Sequence, residues 1–130
     1  MKKYLLIILL SMSLPAQAIT LDELYKTYSP QGAAAFDAER GKKFWDKENV
    51  SEEDGKIRTC HTCHGDDLTK SGKHIKTKKV IDPLAQSVNA ERFTELKKIE
   101  KWFKRNCKWT VGRECTDQEK GDLIKYLIQF

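Results

Sequence analysis

Cys60-His61-Thr62-Cys63-His64 decides how this chain is read. Cys-x-x-Cys-His is the pattern of covalent haem attachment. Two thiols three positions apart reach the two vinyl groups of one porphyrin, and the histidine that follows offers an imidazole to the iron. Three other readings use fewer of these residues. A thioredoxin-like pair wants a βαβ setting, which the chain lacks, and a zinc knuckle wants a second ligand pair at metal spacing. A bridge between Cys60 and Cys63 leaves His64 without a role. The motif therefore predicts one haem c, held covalently by Cys60 and Cys63, with His64 as the proximal iron ligand. His61, inside the loop, reads as a solvated bystander.

Upstream, Lys2 and Lys3 precede an apolar run from Tyr4 to Leu10, and Ala16-Gln17-Ala18 is a small-residue cleavage site. That is the layout of an export signal over residues 1–18, cleaved after Ala18. The run is broken by Ser11 and Ser13 and is much shorter than the ~20 residues that span a bilayer. The expected location is the periplasm, an oxidising compartment in which cysteines pair. Cleavage leaves residues 19–130 as one monohaem domain, lowers the formal charge from +5 to +3 by removing two lysines, and removes both methionines, Met1 and Met12. With 39% hydrophobic and 33% charged residues, the chain is no multispan membrane protein, disordered tail or collagen-like fibre.

Downstream and around the motif the patterning is helical. One helix is expected over 34–47, where Phe36, Arg40, Phe44 and Trp45 keep helical spacing. A second is expected over 90–106, capped by Asn89, with Phe93, Leu96, Ile99, Phe103 and Asn106 on one side and Lys97, Lys98, Lys101, Lys104 and Arg105 on the other. Thr116-Asp117-Gln118-Glu119 is a capping box that starts a C-terminal helix. Leu21 to Tyr28 adds a short helix, ended before Pro30. Between the first two long helices lies a stretch rich in Thr, Gly, Lys and Asp with little strand alternation. The fold class is all-α, wrapped around a long central loop, a poor core unless a large group fills the middle.

No methionine remains to occupy the face of the iron opposite His64, where electron-carrying c-type cytochromes place a thioether. His74, a lysine, a tyrosine, an asparagine or nothing could stand there. Asn106 falls within about 80° of Leu96, Ile99 and Phe103 on a wheel of ~100° per residue. An amide on an apolar face needs a partner or costs roughly 1–3 kcal/mol. Iron would serve, and so would a role as cap of the helix end. His74 reads more simply as a loop histidine. Cys107 and Cys115, with seven residues between them, read as a disulfide worth roughly 2–3 kcal/mol, with metal binding by two lone thiols the weaker option. They are no second haem site, because Thr116 follows Cys115.

The runs Asn89-Ala-Glu-Arg-Phe-Thr, Lys98-Ile-Glu-Lys-Trp-Phe-Lys-Arg-Asn106-Cys107, Gly112-Arg-Glu-Cys115-Thr and Glu119-Lys-Gly, taken with Cys60 to His64, resemble the sphaeroides haem protein (SHP) family of class I cytochromes c. The likeness extends over most of residues 40–130. It implies a class I cytochrome c fold in which His64 is the proximal ligand, Asn106 ligates the oxidised iron and leaves on reduction, and Cys107 bridges to Cys115 nearby. It also implies a dihaem cytochrome c and a membrane cytochrome b as electron donors. The packing of Gly41, Phe44 and Trp45 against Leu123, Tyr126 and Leu127 is a further expectation from it.

Two functions follow. In the first, a weak distal ligand leaves on reduction and the ferrous haem takes O2, NO or CO, with or without turnover, while Trp102 and Trp109 shape the pocket or simply pack. In the second, His74 or a lysine keeps the iron six-coordinate in a plain periplasmic electron carrier. A peroxide-consuming enzyme ranks last, since no distal His–Arg pair is evident. The basic side of the second helix reads as a solvated face, better suited to an acidic redox protein than to nucleic acid if it docks anything. The Pro83 carbonyl is a candidate acceptor for His64 Nδ1, with a simple turn as the equal alternative.

Overall fold

The computed structural model describes residues 17–130. The export signal expected over 1–18 therefore lies almost wholly outside the described residues. Helix α1, Leu21–Tyr28, starts at a capping box: Thr20 Oγ1 accepts from the Glu23 N–H at 3.2 Å and Glu23 Oε2 accepts from the Thr20 N–H at 2.8 Å. It stops before Pro30. The helix expected over 34–47 is split. Gly32–Ala35 forms a 3-10 turn, Phe36 is extended, and α2 runs only from Ala38 to Asp46. The break arises at Asp37, whose side chain accepts from the Arg40 N–H at 2.8 Å and starts a new helix.

Two short antiparallel hairpins flank the next turn of helix. Strand β1 (Asn49–Val50) pairs with β2 (Ile57–Arg58), α3 spans His61–His64, and β3 (Gly72–Lys73) pairs with β4 (Val80–Ile81). Two-residue strands leave the all-α class intact, and they are too short for alternation to mark them. Helix α4, Leu96–Val111, is displaced from its expected range at both ends. Asn89 does not cap it, because its amide donates to the Pro83 carbonyl at 3.1 Å and Phe93 sits at φ 62, which no helix admits. At the far end α4 runs on to Gly112, at φ 82 the left-handed residue that stops it. Helix α5, Asp117–Leu127, opens on the capping box of Thr116 and Glu119.

Helices α2 and α5 form the main packing. They approach so closely that a Cβ on Gly41 would stand 2.0 Å from the Asp122 carbonyl oxygen. Trp45, Leu123 and Leu127 are buried with Leu68 and Ala85, and Phe44 and Tyr126 pack against them, as the resemblance implied. A second cluster joins Leu24, Tyr25, Phe36, Ile99 and Ile124. Phe93 and Phe103 touch both clusters. Asp122 is buried at this contact and its carboxylate accepts four donors: Arg40 Nε and Nη2, both at 2.9 Å, the Asp37 N–H at 2.7 Å and Gln118 Nε2 at 3.1 Å. Full satisfaction makes a buried carboxylate tolerable. Among the described residues no helix is long and apolar enough to cross a membrane.

Candidate haem site

The attachment motif forms one helical turn. Cys60 already has helical φ and ψ, the Thr59 N–H donates to Thr62 Oγ1 at 2.9 Å, and the turn ends at Gly65, whose N–H donates to the His61 carbonyl at 2.9 Å. Strand β3 lies against its far side, with room for no Cβ at Gly72, which would fall 2.2 Å from the Cys63 carbonyl oxygen. Both motif cysteines are unpaired. As a free thiol, Cys60 is pushed up to about 12 by burial. A redox-active thiol is depressed instead, and among the described residues no three His, Cys, Asp or Glu side chains group as metal ligands. The thioredoxin-like and zinc readings therefore find no support in the geometry.

His64 is held neutral. Burial first, then the positive charge of Arg92, lowers it to about 4, leaving an imidazole lone pair free for a metal at ordinary pH. The Trp45 ring lies 5.5 Å away, and its Nε1 is buried without a hydrogen-bond partner. Such a group is rarely left unmatched by protein alone. Two unpaired cysteines on one turn, a neutral imidazole and an orphaned indole N–H beside it fit a covalently held haem.

His61 is no solvated bystander. Its Nε2 meets Asp46 Oδ1 at 2.8 Å, its Nδ1 lies 3.0 Å from Asp66 Oδ1 and 3.2 Å from the Gly65 carbonyl, and its ring stands edge-on to Trp45. It ties the attachment turn to the end of α2. The His61 hydrogen bond, and behind it Lys42, hold the Asp46 carboxyl below its ordinary range.

The Pro83 carbonyl is not given to His64. It accepts from Arg92 Nε at 2.8 Å and from the Asn89 amide, while Arg92 Nη2 donates to the Asp82 carbonyl at 2.6 Å. The guanidinium fork reaches two successive carbonyls, which an imidazole N–H does not. In the sequence Arg92 stands inside the run Asn89-Ala-Glu-Arg-Phe-Thr, where nothing local marks this role.

Asn106 lies inside α4, five residues before its end, and its side chain is exposed. The role of helix cap is thereby removed. Trp102, Asn106 and Trp109 stand at i, i+4 and i+7 on one face. Trp102 is 46% exposed. The Trp109 indole meets both flanks of the attachment turn: Arg58 lies over it at 4.0 Å, and the His74 ring is 5.4 Å away. His74 is committed elsewhere too, since its Nδ1 accepts from the N–H groups of Lys76 and Thr77 at 3.3 and 3.1 Å. An Arg and a His thus do meet at this face, though the arginine is spent on ion pairs with Asp54 and Glu53. A groove of about 360 Å³ opens here, with Ile57, Arg58, Thr62, Ile75 and Trp109 in its walls. Cys107 and Cys115 form a disulfide with Cα atoms 5.6 Å apart, joining α4 to the start of α5.

Helices closed on an unpaired Cys-x-x-Cys-His turn, with a neutral histidine at its end, define a class I c-type cytochrome. Residues 31–127 match a family model described as a domain of unknown function, DUF1924. The chain is 41% identical to the cytochrome c-type protein SHP of Cereibacter sphaeroides over 107 residues, covering 81% of this chain and 80% of that protein. It is 40% identical to cytochrome c'' of Methylophilus methylotrophus over 74 residues, 57% of this chain and 51% of that one. The structure of oxidised SHP, an oxygen-binding cytochrome c, superposes with a TM-score of 0.72 at 36% identity, covering 85% of this chain and 97% of the other. The solution structure of the Methylophilus protein, concerned with haem-ligand detachment, superposes at 0.63 with 32% identity, covering 85% and 87%. The chain belongs to the SHP family of c-type cytochromes, and its cofactor is covalently bound haem c.

Proposed function

We propose that this is a periplasmic monohaem cytochrome in which His64 is the permanent axial ligand and Asn106 a temporary one, leaving on reduction so that O2, NO or CO binds. Haem c, held through Cys60 and Cys63, would supply a one-electron iron centre. His64 gives it a neutral imidazole. Asn106 offers a hard, neutral, weak amide oxygen, which suits ferric iron and serves ferrous iron poorly, since the reduced metal favours softer donors. Once released from the iron, the Asn106 amide N–H would be free to donate to a diatomic ligand.

The observation that carries this reading is the place of Asn106: inside a helix that ends only at Gly112, on the face whose Trp109 meets both flanks of the attachment turn. With Met1 and Met12 both in the expected export signal, no thioether competes. The relatives agree in kind, one being an oxygen-binding cytochrome and another the subject of haem-ligand detachment. The plain electron carrier is the less favoured reading, because His74 accepts hydrogen bonds at Nδ1 and packs on Trp109 rather than standing free as a sixth ligand. Residues 1–18 as export signal, and a dihaem cytochrome c and membrane cytochrome b as electron donors, belong to the same proposal. Nucleic acid has no part in it.

Asn106→Ala is the test. The ferric form is expected to turn from low to high spin in absorption and electron paramagnetic resonance, while the reduced wild type is high-spin and takes up CO rapidly. A ferric spectrum indifferent to the substitution, or a ferrous form that stays low-spin and ignores CO, overturns the reading.

A further inference from the structure

We infer that Arg58 is the positioning residue that sets Asn106 against the haem, by clamping the last turn of α4 to the segment that carries Cys60. The inference rests on the ligand role of Asn106 proposed above.

The last four carbonyls of an α-helix lack partners within the helix. In α4 the Lys108 carbonyl is met by the Gly112 N–H at 3.2 Å, and the Trp109 carbonyl by Arg58 Nη1 at 3.0 Å. The cation also sits where the helix dipole favours it, at the C-terminal end. The same guanidinium covers the Trp109 ring, 4.0 Å from its centre, and is neutralised by Asp54 at 3.2 Å and Glu53 at 3.5 Å. Only 8% of the Arg58 side chain is exposed, so water competes little for these contacts.

The bridge is short at both ends. On one side only Thr59 separates Arg58 from Cys60. On the other, Trp109 follows Asn106 by three residues, less than one helical turn, on the same face. His74 reaches the indole from beyond the attachment turn, and the Cys107–Cys115 disulfide holds the neighbouring residue of α4 from the side of α5. The Asn106 backbone is thus fixed relative to the thiols that carry the haem. A weak donor needs such placement more than a strong one, because a displacement of about 1 Å costs a larger share of its small binding energy. Release of Asn106 would then be a movement of its side chain on an α4 that this clamp holds in place.

The test compares ferric spin states of haem-loaded variants with native helical content. Arg58→Gln removes the charge and the planar stack, and raises the ratio of high-spin to low-spin ferric protein roughly three- to tenfold. Arg58→Lys, which keeps a cation and loses the planar fork, falls between it and wild type. In an Asn106→Ala background Arg58→Gln has no further effect on the spectrum. A native ratio in folded Arg58→Gln protein overturns the inference, and so does an equal shift with and without Asn106. If Arg58→Gln does not accumulate, Trp109→Phe is expected to shift the ratio in the same direction by less, and an unchanged ratio there overturns the inference. An Asn106→Ala protein with the native ferric spectrum instead overturns the ligand reading, and the clamp with it.

Discussion

The helical frame and the segment it surrounds are held together by different forces. In the frame, α1, α2 and α5 bury Leu24 and Ile124 completely, and α2 meets α5 at backbone distance through Gly41. In residues 47–95 the strands are two residues long, and Val50, Ile57 and Val80 are more than half exposed. What orders that segment is a set of long side chains reaching to distant groups: Arg92 to the Asp82 and Pro83 carbonyls, Arg58 to Trp109, His61 to Asp46. Apolar packing builds the frame. In the middle, Leu68 and Ala85 are the buried apolar residues, and polar anchors hold much of the rest.

The strongest way to sharpen that contrast is to withhold the haem. A Cys60→Ala/Cys63→Ala protein is expected to lose order in 47–95 while α2 and α5 remain docked. Amide exchange should then be faster in the segment than in the frame by roughly two orders of magnitude. Equal protection in both regions would show that the segment stands without its cofactor.

Breaking the frame itself comes next. A methyl group at Gly41 collides with the Asp122 backbone rather than with a flexible side chain, so the helices must part. Gly41→Ala is expected to cost about 1–3 kcal/mol in denaturant unfolding while haem attachment survives, as overpacking does elsewhere. A native midpoint would mean that α2 and α5 slide apart at little cost.

The smallest effect concerns the polar anchor between the two regions. The Asp46 carboxyl is held below its ordinary value by His61, so its contribution is present above the ordinary carboxylate range and fades as pH falls through the lowered value. Both side chains are partly exposed, which limits the contribution to under about 1 kcal/mol. Asp46→Asn should therefore reduce stability slightly at neutral pH and converge with wild type in acid. A difference that persists undiminished below the lowered carboxylate value would reverse the sign assigned to this contact.

Legibility in the sequence follows the same division. The start of α5 was readable because its capping box is local, with donor, acceptor and apolar repeat within a few residues, and the short helix over 21–28 was bounded by Pro30, while its own capping box at Thr20 and Glu23 came only with the structure. The cysteine motif was readable because the chemistry of a porphyrin imposes its spacing. The start of α4 was not, since Asn89 caps nothing when its amide has Pro83 to bind and Phe93 adopts a left-handed conformation. Its end was missed as well, because Asn106 suits a helix end as readily as a helix interior. His61 was misjudged because Asp46 lies fifteen residues away.

By itself the sequence determined the cofactor and the all-α class, and it supplied the motif and the expected export signal on which the proposed attachment and the missing thioether rest. These rest on short-range patterns whose partners are neighbours in the chain or atoms of the haem. The tertiary structure alone decided that His74 and Arg58 converge on Trp109, that Arg92 occupies the Pro83 carbonyl, and that Asn106 stands within α4 rather than at its end. The contacts on Trp109 join residues far apart in sequence, and the choice among them is made only when the helices pack.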